Sequence, residues 1–210
     1  MPAFEILSAF FVATAVFAYM PGPAMLYAAA QTIARGRRAG WMAALGIHVG
    51  GYAHVVAAAL GLAALFSAVP ILYSIVKLAG AAYLVWLGIK LIRSRESVTT
   101  TSLAIDAKSP RRAFFESITV EVLNPKTALF YLAFLPQFTD LSAALPLWGQ
   151  LLILGTIVNV MFSSADVVCV LFADKVTRVF KSSRSASRLA QKLGGGILIA
   201  LGVNLAVNRQ

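Results

Sequence analysis

The sequence predicts an all-α membrane protein, with six transmembrane helices arranged as two three-helix repeats of inverted topology. Three observations carry this reading. Hydrophobic residues make up 60% of the 210 positions and charged residues only 12%, about half the charged share of a soluble domain. Several stretches lack Asp, Glu, Lys and Arg for longer than the roughly 20 residues needed to cross a hydrocarbon core. The first span also recurs in the fourth, 104 positions later.

The spans follow in order. Ile6 to Ala34 carries none of these charges and predicts a span at 6–30. Ala39 to Val76 is equally free of charge but too long for one crossing. It must turn near Ser67–Pro70, giving spans at 41–66 and 71–91. A fourth is read at 114–136. The charge-free run Leu141 to Ala165 anchors a fifth at 147–173, and the sixth lies at 192–207.

The net charge of +10 is explained by where the cations fall. Arg35, Arg37 and Arg38 lie in the first loop. Lys90, Arg93, Arg95, Lys108, Arg111 and Arg112 lie in or beside the third, and Lys175, Arg178, Lys181, Arg184, Arg188 and Lys192 in the fifth. The second and fourth loops have no Lys or Arg. Cationic loops stay cytoplasmic, so both termini are expected on the periplasmic side. The basic excess is topology and not a nucleic-acid footprint. Ala13-Thr14-Ala15 mimics a signal-peptide cleavage site, but Met1 to Glu5 has no basic n-region and the apolar run continues past it. A single cysteine, Cys169, rules out an intramolecular disulfide and reads as a small buried hydrophobe.

Shifting the chain by 104 residues lays the first span on the fourth without a gap. Phe10, Phe11, Val16, Pro21, Ala24, Tyr27 and Ala29 meet Phe114, Phe115, Val120, Pro125, Ala128, Tyr131 and Ala133. The third and sixth spans agree more loosely, Lys77-Leu78-Ala79-Gly80 resembling Lys192-Leu193-Gly194-Gly195. The domain organisation read from this is a first repeat at 1–92, a basic cytoplasmic linker at 93–113 and a second repeat at 114–210. Three spans per repeat is odd, so the second copy enters the membrane from the opposite side. Inverted repeats interrupted by Gly or Pro at matching positions are a transporter signature.

The polar chemistry clusters at those interruptions. Pro21-Gly22-Pro23 lies deep in the first span and Asn124-Pro125-Lys126 near the middle of the fourth. Proline removes a donor and clashes with the preceding turn. Freed backbone groups at membrane depth require a protein-lined or watery cavity, and half-helix ends there can hold a carboxylate or a cation. A central Asp or Lys costs about 2.5–3.5 kcal/mol on insertion scales, which singles out Glu121, Lys126 and Asp166. A buried Lys126–carboxylate pair that only joins helices is the structural alternative. Lys77 and Glu116 sit near span ends, where snorkelling explains them. His48 and His54, six apart, fall on different faces of one helix and read as packing residues. The small pair Gly46/Gly50 and the run Gly194 to Gly196 read as helix-packing patches. With one cysteine no metal site is expected, and no cofactor motif or nucleophile–His–carboxylate set occurs.

These residues resemble the lysine-exporter (LysE) family. The resemblance is carried by Pro21-Gly22-Pro23, the Arg-Gly-Arg-Arg-Ala-Gly run at 35–40 and Lys77 to Gly88. Asn124-Pro125-Lys126 with Phe130, Leu135-Pro136-Gln137-Phe138 and the closing run Gly195 to Leu205 complete it. It implies proton-coupled efflux of amino acids or related metabolites across a bacterial inner membrane. Gly50-Gly51-Tyr52-Ala53-His54 lacks the acid that lysine and arginine exporters look to have there, so the chain resembles the homoserine/threonine-efflux branch more closely. Asp166 matches a fifth-span aspartate of the family. The expectation is an exporter of neutral or homoserine-like amino acids, compatible with a homo-oligomer. Its expected partners are a small-molecule substrate, a coupling proton and the lipid bilayer. The site is expected at Pro21, Gly22, Pro23, Glu121, Asn124, Pro125, Lys126 and Asp166, with backbone donors at the breaks and Lys126 for the carboxylate, and Asp166 with Glu121 for the ammonium or a proton. Export of another small metabolite or ion, an intramembrane enzyme and a helper subunit are the alternatives.

Overall fold

The computed structural model describes residues 4–93, 109–173 and 184–207, and every regular element among them is helical. The chain runs through α1 (Phe4–Tyr19), α2 (Pro23–Arg35) and α3 (Arg37–Val56). A six-residue π-helical segment, Ala57–Leu62, joins α3 to α4 (Ala63–Ala68), and α5 (Ile71–Arg93) follows. The second half holds α6 (Pro110–Val122), α7 (Pro125–Phe134) continued by a 3₁₀ turn at Leu135–Phe138, α8 (Leu147–Leu171) and α9 (Arg184–Val207).

Three runs are long and apolar enough to cross a membrane: Arg37–Ala68, Ile71–Lys90 and Leu147–Leu171. Two further candidates are bent pairs. Ile6–Tyr19 with Pro23–Arg35 and Pro110–Val122 with Pro125–Phe138 each bend by 46°. The expected sixth span is represented by Gly195–Val207, an apolar stretch shorter than the other candidates. Large apolar side chains such as Leu60, Ile71, Leu78, Ile153 and Val160 stand more than half exposed on these helices. In water such a surface would aggregate; it suits a lipid environment.

The turns differ from their expected form in three places, one being that Arg184, Arg188 and Lys192, read in the fifth loop, already belong to α9. The first loop shrinks to Gly36, so Arg37 and Arg38 already open α3. Gly36 has φ 82°, in the half of the map that favours glycine, and this lets α2 reverse into α3 within one residue. In the linker read at 93–113, residues 110–113 already belong to α6, because Pro110 fits the first turn of a helix, where its missing N–H costs nothing. Arg95 and Lys108, like Lys175, Arg178 and Lys181, lie outside the described residues. The turn expected at Ser67–Pro70 is found there. The loop before α8 is tied by Asp140, whose Oδ1 accepts from the Ser142 hydroxyl at 2.7 Å and its amide at 2.8 Å. Those two donors hold the Asp140 carboxyl below the usual carboxylate range.

Two kinds of packing hold the helices. Where glycine faces a neighbour, backbones touch. A Cβ on Gly46 would run into the Phe114 carbonyl and the Ser117 hydroxyl, and one on Gly50 would lie 2.9 Å from Ile118 O, so α3 lies directly on α6. Gly88 and Gly195 meet backbone to backbone between α5 and α9. The small-residue patches expected at Gly46/Gly50 and within 194–196 are therefore helix contacts. Elsewhere a run of aromatic rings fills the core. Phe17 stacks on Phe130 at 4.2 Å, Phe130 on Phe134 at 4.3 Å, and Phe134 meets Phe138 at 4.7 Å. Such pairs contribute about 0.5–1.5 kcal/mol each beyond burial.

Candidate functional site

Each bend begins with a proline that cannot donate to the carbonyl four residues back. Pro21 frees Phe17 O, and Pro125 frees Glu121 O. The 104-residue offset maps 17 onto 121 as well as 21 onto 125, so the same carbonyl loses its i+4 donor twice and keeps only a turn bond, from Met20 N at 3.3 Å and from Asn124 N at 3.0 Å. A carbonyl oxygen has a second lone pair, and each of these has acquired a side-chain donor for it. Lys126 Nζ donates to Phe17 O at 3.0 Å and to Met20 O at 2.6 Å. His54 Nε2 lies 2.8 Å from Glu121 O, and since a carbonyl only accepts, that nitrogen carries the hydrogen.

Lys126 is thus held by the C-terminal end of α1, where the helix dipole and free carbonyls favour a cation. Its ammonium also lies 4.5 Å from the centre of the Phe17 ring, close enough for a cation–π interaction. Among the described residues no carboxylate forms an ion pair with Lys126. The alternative of a Lys126–carboxylate pair that only joins helices is not what the structure contains. Gly22 makes the arrangement possible, because a Cβ there would come within 2.8 Å of Lys126 Cδ.

At the second break Asn124 acts twice. Its Oδ1 accepts from Lys126 N at 3.1 Å, capping α7, and its Nδ2 donates to Glu121 Oε2 at 3.0 Å. The cap is the ordinary use of Asn before a helix. The other half-helix, α2, starts at Pro23 with no side-chain cap, so its first-turn amides remain open to a ligand.

Both breaks face one cavity. It is lined by Met20, Gly22, Ala24 and Met25 from the first break and by Glu121, Asn124, Lys126 and Thr127 from the second. Ile47 of α3 and Asn159, Phe162, Ser163 and Asp166 of α8 form walls, with Ala18. The α8 residues recur at helical spacing and so share one face. The empty space is about 410 Å³ with the open mouth included. Of the expected site residues, Gly22, Glu121, Asn124, Lys126 and Asp166 meet here. Pro21, Pro23 and Pro125 do not line the cavity. Pro23 and Pro125 are exposed and Pro21 is half-buried; their effect is on the backbone.

Asp166 stands apart from the other polar groups of the cavity. It is 5% exposed, and among the described residues no hydrogen bond or ion pair reaches its carboxylate. A buried carboxylate normally has partners, because desolvation costs several kcal/mol.

A polar wall escaped the sequence reading. Asn159 Nδ2 donates to His48 O at 3.1 Å, and Ser163 donates to Asn159 O at 2.8 Å. Ser163 has then used its only hydrogen, so His48 Nδ1–H donates to Ser163 Oγ at 2.6 Å. Both histidines are hydrogen-bonded to different helices, in keeping with packing roles. A Cβ on Gly51 would collide with Asn159 Oδ1, so Gly51 marks where Asn159 enters. Polar uncharged residues within the spans were the available signal. Among the described residues no group of His, Cys, Asp or Glu could hold a metal.

Residues 15–209 match a family described as LysE type translocator. A leucine efflux protein of Enterobacter sp. (strain 638) is 31% identical over 204 residues, covering 96% of this chain and 92% of that protein. A leucine efflux protein of Klebsiella pneumoniae is 28% identical over 187 residues, covering 89% and 88%. An uncharacterised membrane protein of Vibrio cholerae is 28% identical over 198 residues, covering 94% and 95%. No solved structure matches.

Proposed function

The chain belongs to the LysE type translocator family, and from that premise we propose that it exports neutral amino acids, leucine-like or homoserine-like, in exchange for protons. It is a multi-pass membrane transporter and not an enzyme. An amino acid carries a carboxylate and an ammonium, so its site needs donors and an acceptor within one cavity. The carboxylate goes to the uncapped first turn of α2, beside the Lys126 ammonium. Asp166, with Glu121 held by Asn124, takes the ammonium or the coupling proton. The observation that carries this reading is the buried Asp166 carboxylate without a hydrogen bond, in the same cavity as an open helix N-terminus. Neutral cargo is further supported by Ala18, Met20, Met25, Ile47 and Phe162 in the cavity lining, an apolar surface suited to an uncharged side chain.

We extend the proposal to architecture: six spans in two inverted repeats at 1–92 and 114–210, joined by a cytoplasmic linker at 93–113. The protein sits in a bacterial inner membrane with both termini periplasmic. Supporting this, equal 46° bends occur at repeat-equivalent prolines, and the second and third helices of each half pack on their counterparts, α3 on α8 and α5 on α9. The test of function is counterflow in proteoliposomes loaded with unlabelled amino acid. Radiolabelled leucine or homoserine is expected to accumulate, and lysine is not. Accumulation of lysine with neither neutral amino acid would reject the assignment.

A further inference from the structure

We infer that Phe17 O, Met20 O and the Phe17 ring form a seat for a primary ammonium, which Lys126 occupies in the empty protein as an internal stand-in and which the substrate's ammonium takes by displacing it. This rests on the proposed amino-acid substrate and, of the two roles offered to Asp166 above, replaces the substrate ammonium with Lys126, leaving Asp166 the coupling proton.

Two carbonyls at the end of a half-helix, 3.0 and 2.6 Å from one nitrogen, with an aromatic face 4.5 Å away, make a site built for R–NH₃⁺. The ammonium has three donors: two are spent on the carbonyls, and the charge meets the ring. A side chain tethered at position 126 fills this seat although two carboxylates, Glu121 and Asp166, line the same cavity without pairing to it. The vacant partner of Asp166 is then the place to which Lys126 moves when a ligand takes the seat. In this exchange no cation is left unpaired. The empty protein has Lys126 on the carbonyls, and the loaded one has the substrate ammonium on the carbonyls and Lys126 between the substrate carboxylate and Asp166. Gly22 lets the Lys126 side chain lie against the backbone at the first break, since a Cβ there would come within 2.8 Å of Lys126 Cδ.

The chemistry is selective. A primary ammonium can use both carbonyls and the ring, whereas a quaternary ammonium has no hydrogen to donate. The experiment uses n-butylammonium, which has no carboxylate, and measures its binding to the purified protein by calorimetry. Lys126→Met should bind it at least tenfold more tightly than the wild type, since the internal competitor is gone. Tetramethylammonium should gain nothing. Adding Phe17→Leu to Lys126→Met keeps the carbonyls, removes the ring and should reverse most of the gain. If Lys126→Met is not folded by size-exclusion chromatography and thermal unfolding, Lys126→Gln replaces it under the same criterion. The inference is overturned if the folded variant gains no affinity, or if Phe17→Leu leaves the gain intact. Amine binding involves neither amino acid nor transport. Failed counterflow with a gain in amine affinity would therefore reject the substrate assignment and leave the seat standing.

Discussion

Asp166→Asn is expected to reduce transport by roughly 100-fold while leaving insertion intact, on the scale of about 2–5 kcal/mol for removing one member of a buried charge pair. Here that pair is the one Asp166 forms with an ammonium only in the loaded state. Asn keeps the shape but cannot exchange a proton or neutralise an ammonium. The same change should leave the thermal midpoint of the solubilised protein equal or higher, because it removes a buried carboxylate that has no hydrogen-bond partner. A loss of activity without loss of stability separates a working group from a structural one. The double variant Asp166→Asn/Lys126→Gln sharpens the test. Were the two residues a structural ion pair, neutralising both would restore what neutralising one destroyed. In the structure Lys126 is bonded to Phe17 O and Met20 O, so the double variant should transport no better than the single one. Recovery in the double variant at matched expression would remove Asp166 from the mechanism.

Gly46→Val should have the largest effect on folding. Its first added carbon already overlaps the Phe114 carbonyl and the Ser117 hydroxyl. The first is backbone and cannot turn aside, so α3 and α6 must separate along their contact. Overpacking of this kind costs about 1–3 kcal/mol and sometimes more. The separation would also carry α6 away from His54, which donates to Glu121 O at the second break. Gly61→Val is the control, since nothing lies within 4 Å of its added carbon. Thermal unfolding in one detergent should show Gly46→Val several degrees below wild type and Gly61→Val close to it. Equal midpoints for the two variants would mean that the α3–α6 contact does not hold the fold.

The breaks could be read from the sequence because proline leaves a letter at the position whose hydrogen bond is lost. The spans could be read because an apolar run of membrane length without a single charge suits lipid and not water. What holds the breaks could not be read in the same way. The partners of Lys126 are carbonyl oxygens, which every residue possesses, so no composition or spacing points to Phe17 or Met20. The structural alternative gives Lys126 a carboxylate partner within the protein, and the end of α1 takes that place. Asn159 and Ser163 are not legible in the sequence because neutral polar residues in a span have weak signatures. That helix needs two adjacent glycines because Asn159 closes on Gly51 and α6 on Gly50. The first loop is shorter than its three arginines suggest, because Gly36 alone makes the turn.

The central claim is that the cavity between the two breaks binds the zwitterion, and substrate protection of a single cysteine tests it most directly. In a Cys169→Ser background, Ser163→Cys places a thiol on the cavity wall facing Asp166's side of α8. Maleimide labelling should slow saturably as leucine or homoserine is added, and should be unaffected by the corresponding N-acetyl methyl ester, which has lost both charges. An unchanged labelling rate at amino-acid concentrations that saturate counterflow would contradict the claim.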